Sequence, residues 1–176
     1  MTRPALQADH GDITREPVDA IVNAANSTLY GGGGVDGAIH RAAGPQLLTA
    51  CRELRQTRWP DGLPTGEATA TQAYNLPCRW VIHTVGPNRH TGQTDPALLR
   101  SCFVRSLEVA ADLGATSVAF PAISAGVYGW DAAEVARVAV DAVRTSCPDG
   151  IELVRFVLFS QDMLGVFQAA LSVAGD

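Results

Sequence analysis

Apolar segments of strand length alternate along this chain with longer segments in which apolar and polar positions follow helical spacing, a pattern typical of an α/β fold. Strands are predicted at residues 5–8, 19–23, 67–73, 80–85, 116–120 and 152–159. Helices are predicted at residues 35–43, 45–56, 96–113, 132–146 and 163–173. Segments 20–22 and 118–120 are apolar at every position, so we expect a central sheet covered by helices on both faces.

The lengths of the connections bear on strand direction. The gap between the first two predicted strands is short, as is the gap between segments 67–73 and 80–85, and short gaps favour antiparallel pairing. We therefore predict a three-layer α/β/α fold with a mixed central sheet of about six strands. At 176 residues, the chain has the length of a single domain, residues 1–176. Ligands of such sheets bind beyond the carboxyl ends of the strands.

Four consecutive glycines, Gly31 to Gly34, separate the predicted strand that ends at Asn23 from the predicted helix that begins at Val35. Backbone without side chains at a helix start can turn several N–H groups toward one point, where the helix dipole adds positive potential. This arrangement indicates an anion site, most often for phosphate. Asn23 and Asn26 precede the glycines, and Asp36 follows them. Because a carboxylate beside a bound anion is electrostatically costly, Asp36 indicates chemistry on a group attached to the phosphate; the alternative is an ordinary first-turn acid.

A second strand-to-helix loop, from Phe120 to Trp130, again combines small residues and glycines before a predicted helix. A second backbone cradle facing the first would hold a diphosphate from two sides. A tight turn explains this loop equally well when it is taken alone. Tyr128, between two glycines, either lies over a sugar or anchors the loop.

Four further side chains have two interpretations each. Asp12 either accepts a hydrogen bond from the exocyclic amine of a base or caps a turn. Phe159, at the end of the last predicted strand, either stacks on a base or belongs to the core. His40 and His83 have no partner that spacing identifies, so we expect structural rather than catalytic histidines.

Composition excludes several classes of function. The formal net charge of −5 and the pI of about 5.3 argue against broad electrostatic binding to nucleic acid, but not against a nucleotide held by backbone N–H groups. All 13 basic residues are arginine, which excludes a Schiff-base lysine and a Walker-type phosphate lysine.

The cysteines and the apolar runs add three expectations. The four cysteines lack metal-ligand spacing and are typical of reduced, buried thiols, and we predict no metal site and no cofactor. The chain shows neither a signal-peptide pattern nor an apolar run long enough for a membrane. We therefore expect a cytoplasmic protein without a membrane partner.

Together these motifs resemble the macrodomain family, in particular its MacroD-type branch, which includes O-acetyl-ADP-ribose deacetylases. The resemblance covers nearly the whole chain. Its strongest blocks are residues 11–14, 18–26, 31–44, 64–68, 82–87 and 120–129. It implies a mixed sheet between helices, with a cleft for ADP-ribose.

The resemblance also implies roles for individual residues. The catalytic pair would be Asp36, as the carboxylate that activates water, and Asn26, which would orient the distal ribose. The adenine would contact the side chains of Asp12 and Phe159 and the backbone of Ile13. The full set expected to contact ADP-ribose is Asp12, Ile13, Asn23, Gly32, Gly33, Gly34, Val35, Ser124, Ala125, Gly126, Val127, Tyr128 and Phe159.

The chemistry that the resemblance implies is hydrolysis of an ester at the distal ribose. The ester would be O-acetyl-ADP-ribose or ADP-ribose attached to a protein Asp or Glu, and a bound phosphate oxygen would assist Asp36. Expected partners are therefore ADP-ribose, its esters and mono-ADP-ribosylated proteins, and we expect a monomer. Two alternatives stay open: a non-catalytic reader of ADP-ribose, which would need no acid after the glycines, and an ADP-ribose 1″-phosphatase.

Three positions depart from the pattern of the family. Leu63 precedes Pro64 where many relatives carry Cys, and Ala125 occupies the usual Thr position in the second loop. Asp131 follows Trp130 where Pro is common, which leaves that loop less constrained. None of the three is Asp36 or Asn26, so we expect them to affect affinity and substrate preference more than the reaction.

Overall fold

The structure is a computed structural model that describes residues 3–173. The strands are β1 Ala5–His10, β2 Ala20–Ala25, β3 Ala68–Gln72, β4 Trp80–Val85, β5 Ser117–Phe120 and β6 Leu153–Leu158. The helices are α1 Gly34–Ala43, α2 Pro45–Thr57, α3 Pro96–Asp112, α4 Ala132–Ser146 and α5 Gln161–Ser172. Each predicted strand and helix is confirmed, with ends that agree within two residues.

The six strands form one mixed sheet in the order β1-β6-β5-β2-β4-β3. Neighbouring strands are parallel except β3 and β4, which are antiparallel, as their short connection predicts. The antiparallel pairing expected between the first two strands is wrong, because β6 and β5 lie between β1 and β2.

The connection between β1 and β2 is short, but it is long enough to cross the two intervening strands and return to the start of a parallel strand. The chain must move about 14 Å across three strand spacings and about 20 Å back along the sheet. Residues 11–19, which include a single 3₁₀ turn at Ile13–Arg15, can extend to roughly 30 Å. A short gap therefore permits a parallel arrangement that skips two strands.

Successive residues of the central strands face opposite sides of the sheet and belong to two separate cores. On β2, Ala20 and Val22 pack with α3, α4 and α5, whereas Ile21 packs with α1 and α2. On β5, Val118 and Phe120 belong to the first core and Ala119 to the second. This alternation explains why these segments are apolar at every position, and it confirms the three-layer arrangement.

Four phenylalanines connect the sheet to two helices on the larger core. The ring centroids of Phe103 (α3) and Phe120 (β5) are 5.2 Å apart, those of Phe120 and Phe156 (β6) are 6.1 Å apart, and those of Phe156 and Phe167 (α5) are 5.2 Å apart. All four side chains are fully buried. They fix the carboxyl ends of β5 and β6, where loop 121–130 and Phe159 begin.

The helix starts differ in how their free N–H groups are satisfied. Aspartate or serine side chains cap α3, α4 and α5; Asp131 caps α4 by accepting a hydrogen bond from the Glu134 N–H at 3.2 Å. Gly33 precedes α1 and has no side chain to do this. Within residues 3–173, none of the helices has the length and apolar character needed to cross a membrane.

Two phenylalanines three positions apart allow a matched test of this core. Phe156→Ala should lower the free energy of unfolding by about 3–5 kcal/mol, because it removes a ring packed between two others. Phe159→Ala is the control and should change stability by less than about 0.5 kcal/mol, because its side chain is 81% exposed. Urea unfolding followed by circular dichroism measures both, and equal losses would contradict the assignment of Phe156 to the core.

Candidate active site

The strand order brings the predicted site residues to one edge of the sheet. Asp12 follows β1, Phe159 follows β6, loop 121–130 follows β5, and loop 26–33 follows β2. These four strands are consecutive neighbours and parallel, so their carboxyl ends lie side by side. The predicted residues therefore line this edge in the order Asp12, Phe159, second loop, first loop.

The first loop presents a series of N–H groups without acceptors. Among the residues that the structure describes, none accepts a hydrogen bond from the N–H groups of residues 31–36. Gly31 and Gly34 have φ values of +91° and +59°, which bend the chain into α1. A Cβ at Gly33 would meet nothing within 4 Å. Free N–H groups, the helix dipole and open space together favour an anion at this point.

Two close approaches seat this loop on α1, and the one at Gly37 requires glycine. A Cβ at Gly37 would lie 2.5 Å from the Gly32 carbonyl oxygen. A Cβ at Gly32 would lie 3.2 Å from Asn26 Nδ2 and 3.3 Å from Asp36 Oδ2. Asn26 in turn donates a hydrogen bond to the Gly31 carbonyl at 2.8 Å. The loop thus places the Asn26 amide and one Asp36 oxygen close to the same backbone position.

The second loop offers a shorter series of the same kind. Within the described part of the chain, the N–H groups of residues 127 and 128 have no acceptor, and Ser124 and Gly126 have φ values of +68° and +83°. Gly86, just after β4, admits this loop, because a Cβ there would lie 2.2 Å from Ser124 Oγ. The Val127 side chain is exposed and Tyr128 is half-buried.

Arg89 supports the second loop from the neighbouring connection. Its main-chain N–H donates a hydrogen bond to the Tyr128 carbonyl at 2.9 Å. Its guanidinium carbon lies 4.1 Å from the centroid of the Trp130 ring. The guanidinium also pairs with Glu134 of α4 at 2.9 Å. Nothing in the local sequence around Arg89 indicates these contacts, because their partners lie far from it along the chain.

Asp36 is the buried acid of the site. Asp36 is 4% exposed. Its Oδ1 accepts a hydrogen bond from Asn23 Nδ2 at 2.8 Å and lies 3.4 Å from His40 Nε2. Burial raises the pKa of Asp36 above its usual value, while the Asn23 hydrogen bond and the His40 charge oppose that rise. A carboxylate made more basic by burial, with its second oxygen toward the first loop, suits a general base.

The two histidines differ in their relation to Asp36. His40 lies one helical turn after Asp36 and contacts it directly, a partner that the spacing of four residues on α1 already offered and that sequence analysis overlooked. His83 is fully buried, and burial lowers its pKa to about 3, with a further contribution from His40. His83 is therefore a neutral core histidine, as expected.

The far end of the edge carries Asp12 and Phe159. Asp12 Oδ1 accepts hydrogen bonds from the Thr14 N–H at 2.9 Å and from its hydroxyl at 2.7 Å, so Asp12 does cap a turn. These bonds lower its pKa, which keeps the group a carboxylate able to accept further hydrogen bonds. Phe159 does not belong to the core, since its side chain is 81% exposed. Ile13 points into the core, which leaves only its backbone for a ligand.

Metal and thiol chemistry find no support in the described residues. No cluster of three or more His, Cys, Asp or Glu side chains that could hold a metal occurs within residues 3–173. The four cysteines are buried free thiols. Burial raises the pKa of Cys51, which lies closest to the site, to about 12, so this thiol is not an activated nucleophile.

The fold agrees with the comparisons to known proteins. A family model described as the Macro domain matches residues 22–139, and the chain belongs to this family. A "Macro domain-containing protein" of Streptomyces griseus is 54% identical over 170 residues, which cover 97% of this chain and 96% of the relative. An "O-acetyl-ADP-ribose deacetylase" of Enterobacter cloacae is 48% identical, with 98% of this chain and 97% of the relative covered.

Solved structures lead to the same family. A point mutant of the Oceanobacillus iheyensis macrodomain, solved with ADPR, is 43% identical and superposes with a TM-score of 0.90 over 96% of this chain and 92% of its own. The Trypanosoma brucei macrodomain in complex with ADP-ribose is 36% identical, with a TM-score of 0.86 over 95% of this chain and 69% of its own.

The His40 contact predicts a shift in the titration of Asp36. His40→Gln should raise the pKa of Asp36, because it removes the positive charge that stabilises the carboxylate. Carbon-13 NMR of the Asp36 carboxyl measures the change. Arg41→Gln is the matched control: it removes a charge from the adjacent, exposed position and should leave the titration in place, because solvent screens that charge. If the pKa of Asp36 is the same in His40→Gln as in the wild type, the contact between the two residues is contradicted.

Proposed function

We propose that this protein binds ADP-ribose and hydrolyses esters at its distal ribose. The substrates would be ADP-ribose attached to a protein Asp or Glu, O-acetyl-ADP-ribose, or both. The observation that carries the proposal is the buried carboxylate of Asp36 beside a series of free N–H groups at the start of α1. The names of relatives such as the Enterobacter cloacae deacetylase support it.

The order of the loops along the sheet edge matches the order of the parts of ADP-ribose. The adenine would lie at Asp12 and Phe159, where an accepting carboxylate and an exposed ring are available. The diphosphate would lie between the N–H groups of residues 31–36 and those of residues 127 and 128. The distal ribose would then reach Asn26 and Asp36. Asn23, which is buried behind Asp36, would contact the ligand least directly.

The proposed reaction uses Asp36 as general base. For a protein ester, a water oxygen attacks the ribose carbon that bears the ester, the bond from that carbon to the ester oxygen breaks, and the protein carboxylate leaves with the electron pair. Asp36 takes the water proton, and a phosphate oxygen of the ligand helps to orient the water. For the acetyl ester, the water attacks the carbonyl carbon, and the proton returns to the departing ribose oxygen.

The open space at Gly33 allows a test of the proposed phosphate contact. Gly33→Val should weaken ADP-ribose binding by about tenfold or more, which corresponds to about 1.4 kcal/mol, because the side chain would occupy the path to the N–H groups. Stability should be unchanged, since the backbone there is extended, with φ of −91°, and a Cβ meets no atom. Calorimetry and urea unfolding measure the two effects.

The same calorimetric titrations test the pairing of the two loops. Wild type should bind ADP-ribose much more tightly than AMP, because AMP leaves one loop and the ribose contacts unused. Equal affinities, or unaltered binding by Gly33→Val, would contradict the proposed placement.

The variant Asp36→Asn tests the hypothesis that the protein is a hydrolase. The variant should retain ADP-ribose affinity within about a few-fold, because backbone N–H groups hold the phosphates. Ester hydrolysis should fall by roughly two orders of magnitude or more, because an amide cannot accept the water proton. The measurement is release of free ADP-ribose from glutamate-linked ADP-ribosylated protein and loss of acetate from O-acetyl-ADP-ribose.

Three controls separate the competing functions. Arginine-linked ADP-ribose should stay intact, since its guanidine needs an acid to leave, and efficient release would reveal a missing catalytic group. A wild-type protein that binds ADP-ribose but hydrolyses neither ester would be a reader. Release of phosphate from ADP-ribose 1″-phosphate would assign the site to a phosphatase instead.

A further inference from the structure

Behind Asp36, a row of buried polar side chains crosses three neighbouring strands. Asn23 Nδ2 lies 2.8 Å from Asp36 Oδ1 and 3.2 Å from His83 Nδ1. His83 Nε2 lies 3.0 Å from Thr71 Oγ1. Asn23 and His83 are register partners on β2 and β4, and Thr71 lies on adjacent β3. All four side chains are buried, and Thr71 and His83 have no place in the proposed reaction.

Hydrogen-bond chemistry fixes the direction of each contact in this row. An amide nitrogen only donates, so the two hydrogens of Asn23 Nδ2 go to Asp36 Oδ1 and to His83 Nδ1. His83 Nδ1 is then an acceptor, and the neutral ring carries its proton on Nε2, which donates to Thr71 Oγ1. The opposite orientation of the Asn23 amide would place its oxygen against the Asp36 carboxylate.

The protonation states of His83 and Cys51 exclude their direct participation in catalysis. Burial lowers the pKa of His83 to about 3, so the ring neither gains nor loses a proton near neutral pH. Cys51 Sγ lies 3.9 Å from His83 Nε2, but burial raises the pKa of this thiol to about 12, which excludes a thiolate pair. Orientation of neighbouring groups is the role that suits a neutral, buried ring.

We propose that Thr71 and His83 are positioning residues that hold the Asn23 amide with its N–H toward Asp36. This keeps Oδ1 of the carboxylate engaged and directs Oδ2 toward Gly32 and Asn26, where the water would be activated. The inference rests on the proposed function. It adds two buried residues from β3 and β4 to the site.

A pair of threonines on β3 provides the test. Thr71→Val removes the acceptor for His83 and should lower kcat for ester hydrolysis by roughly three- to tenfold, the effect of one hydrogen bond, with KM and ADP-ribose affinity unchanged. Thr71→Ser keeps the hydroxyl and should restore kcat. Thr69→Val is the matched control. Thr69 lies on the same strand, and its buried Oγ1 has no hydrogen-bond partner among the described residues, so kcat should stay at the wild-type value.

A double-mutant cycle separates positioning from a general structural role. In the Asp36→Asn background, Thr71→Val should cost little further activity, because the group that it positions is already gone. An equal loss in both backgrounds, an unchanged kcat in Thr71→Val, or an equal loss in Thr69→Val would overturn the inference.

The positioning role can also be tested without an activity assay, so that its failure and the failure of the proposed function can be told apart. Nitrogen-15 NMR of the wild-type protein should show the His83 ring neutral, with its proton on Nε2. In Thr71→Val, the ring signals should shift or broaden as this tautomer loses its acceptor. A proton on Nδ1 in the wild type would overturn the inference, whereas failure of wild type to hydrolyse either ester would overturn the proposed function.

Discussion

Burial of a carboxylate is costly unless nearby groups offset the loss of water, and Asp36 is buried at the start of α1. The Asn23 amide, His40 and the positive end of the helix dipole supply that compensation. Each depends on a different part of the fold: Asn23 on β2, His40 on the next turn of α1, and the dipole on a helix that starts without a side-chain cap. The loop, the helix and the strand are therefore arranged around one acidic group.

The sheet order turns this local arrangement into an elongated site. Parallel neighbours β1, β6, β5 and β2 carry their following loops to the same edge, so an acid, an exposed ring and two series of N–H groups lie in sequence along it. The aromatic row from Phe103 to Phe167 packs beneath the middle of this edge. Stability of the core and geometry of the site thus depend on the same two strands, β5 and β6.

Local sequence patterns were sufficient to predict the strands, the helices and the two loops of the candidate site. Strand and helix positions follow from apolar spacing, and the glycines before α1 and the small residues after β5 indicated both loops. The order of the strands could not be predicted from such patterns. The length of the connection after β1 is compatible both with an antiparallel neighbouring strand and with a parallel strand two positions further along the sheet. The contacts of His83 with Asn23 and Thr71 join three strands, and no local spacing indicates such pairs. His40 was different, because its four-residue distance from Asp36 on a predicted helix was a usable signal.

The free N–H groups of the two loops have a consequence for how this site tolerates sequence change. Main-chain donors are the same for every residue type except proline, so a substitution in these loops alters recognition only when it changes the path of the chain or fills the approach to it. Ala125, in place of the threonine expected from the family, leaves the nearby donors at residues 127 and 128 intact. Gly32 and Gly37, by contrast, admit no side chain without displacing the loop or its neighbours. We therefore expect substitutions to be tolerated where side chains point away from these donors. We expect them to be restricted at Gly33, where a side chain would fill the approach to the N–H groups, and at Gly32 and Gly37, where neighbouring atoms lie close.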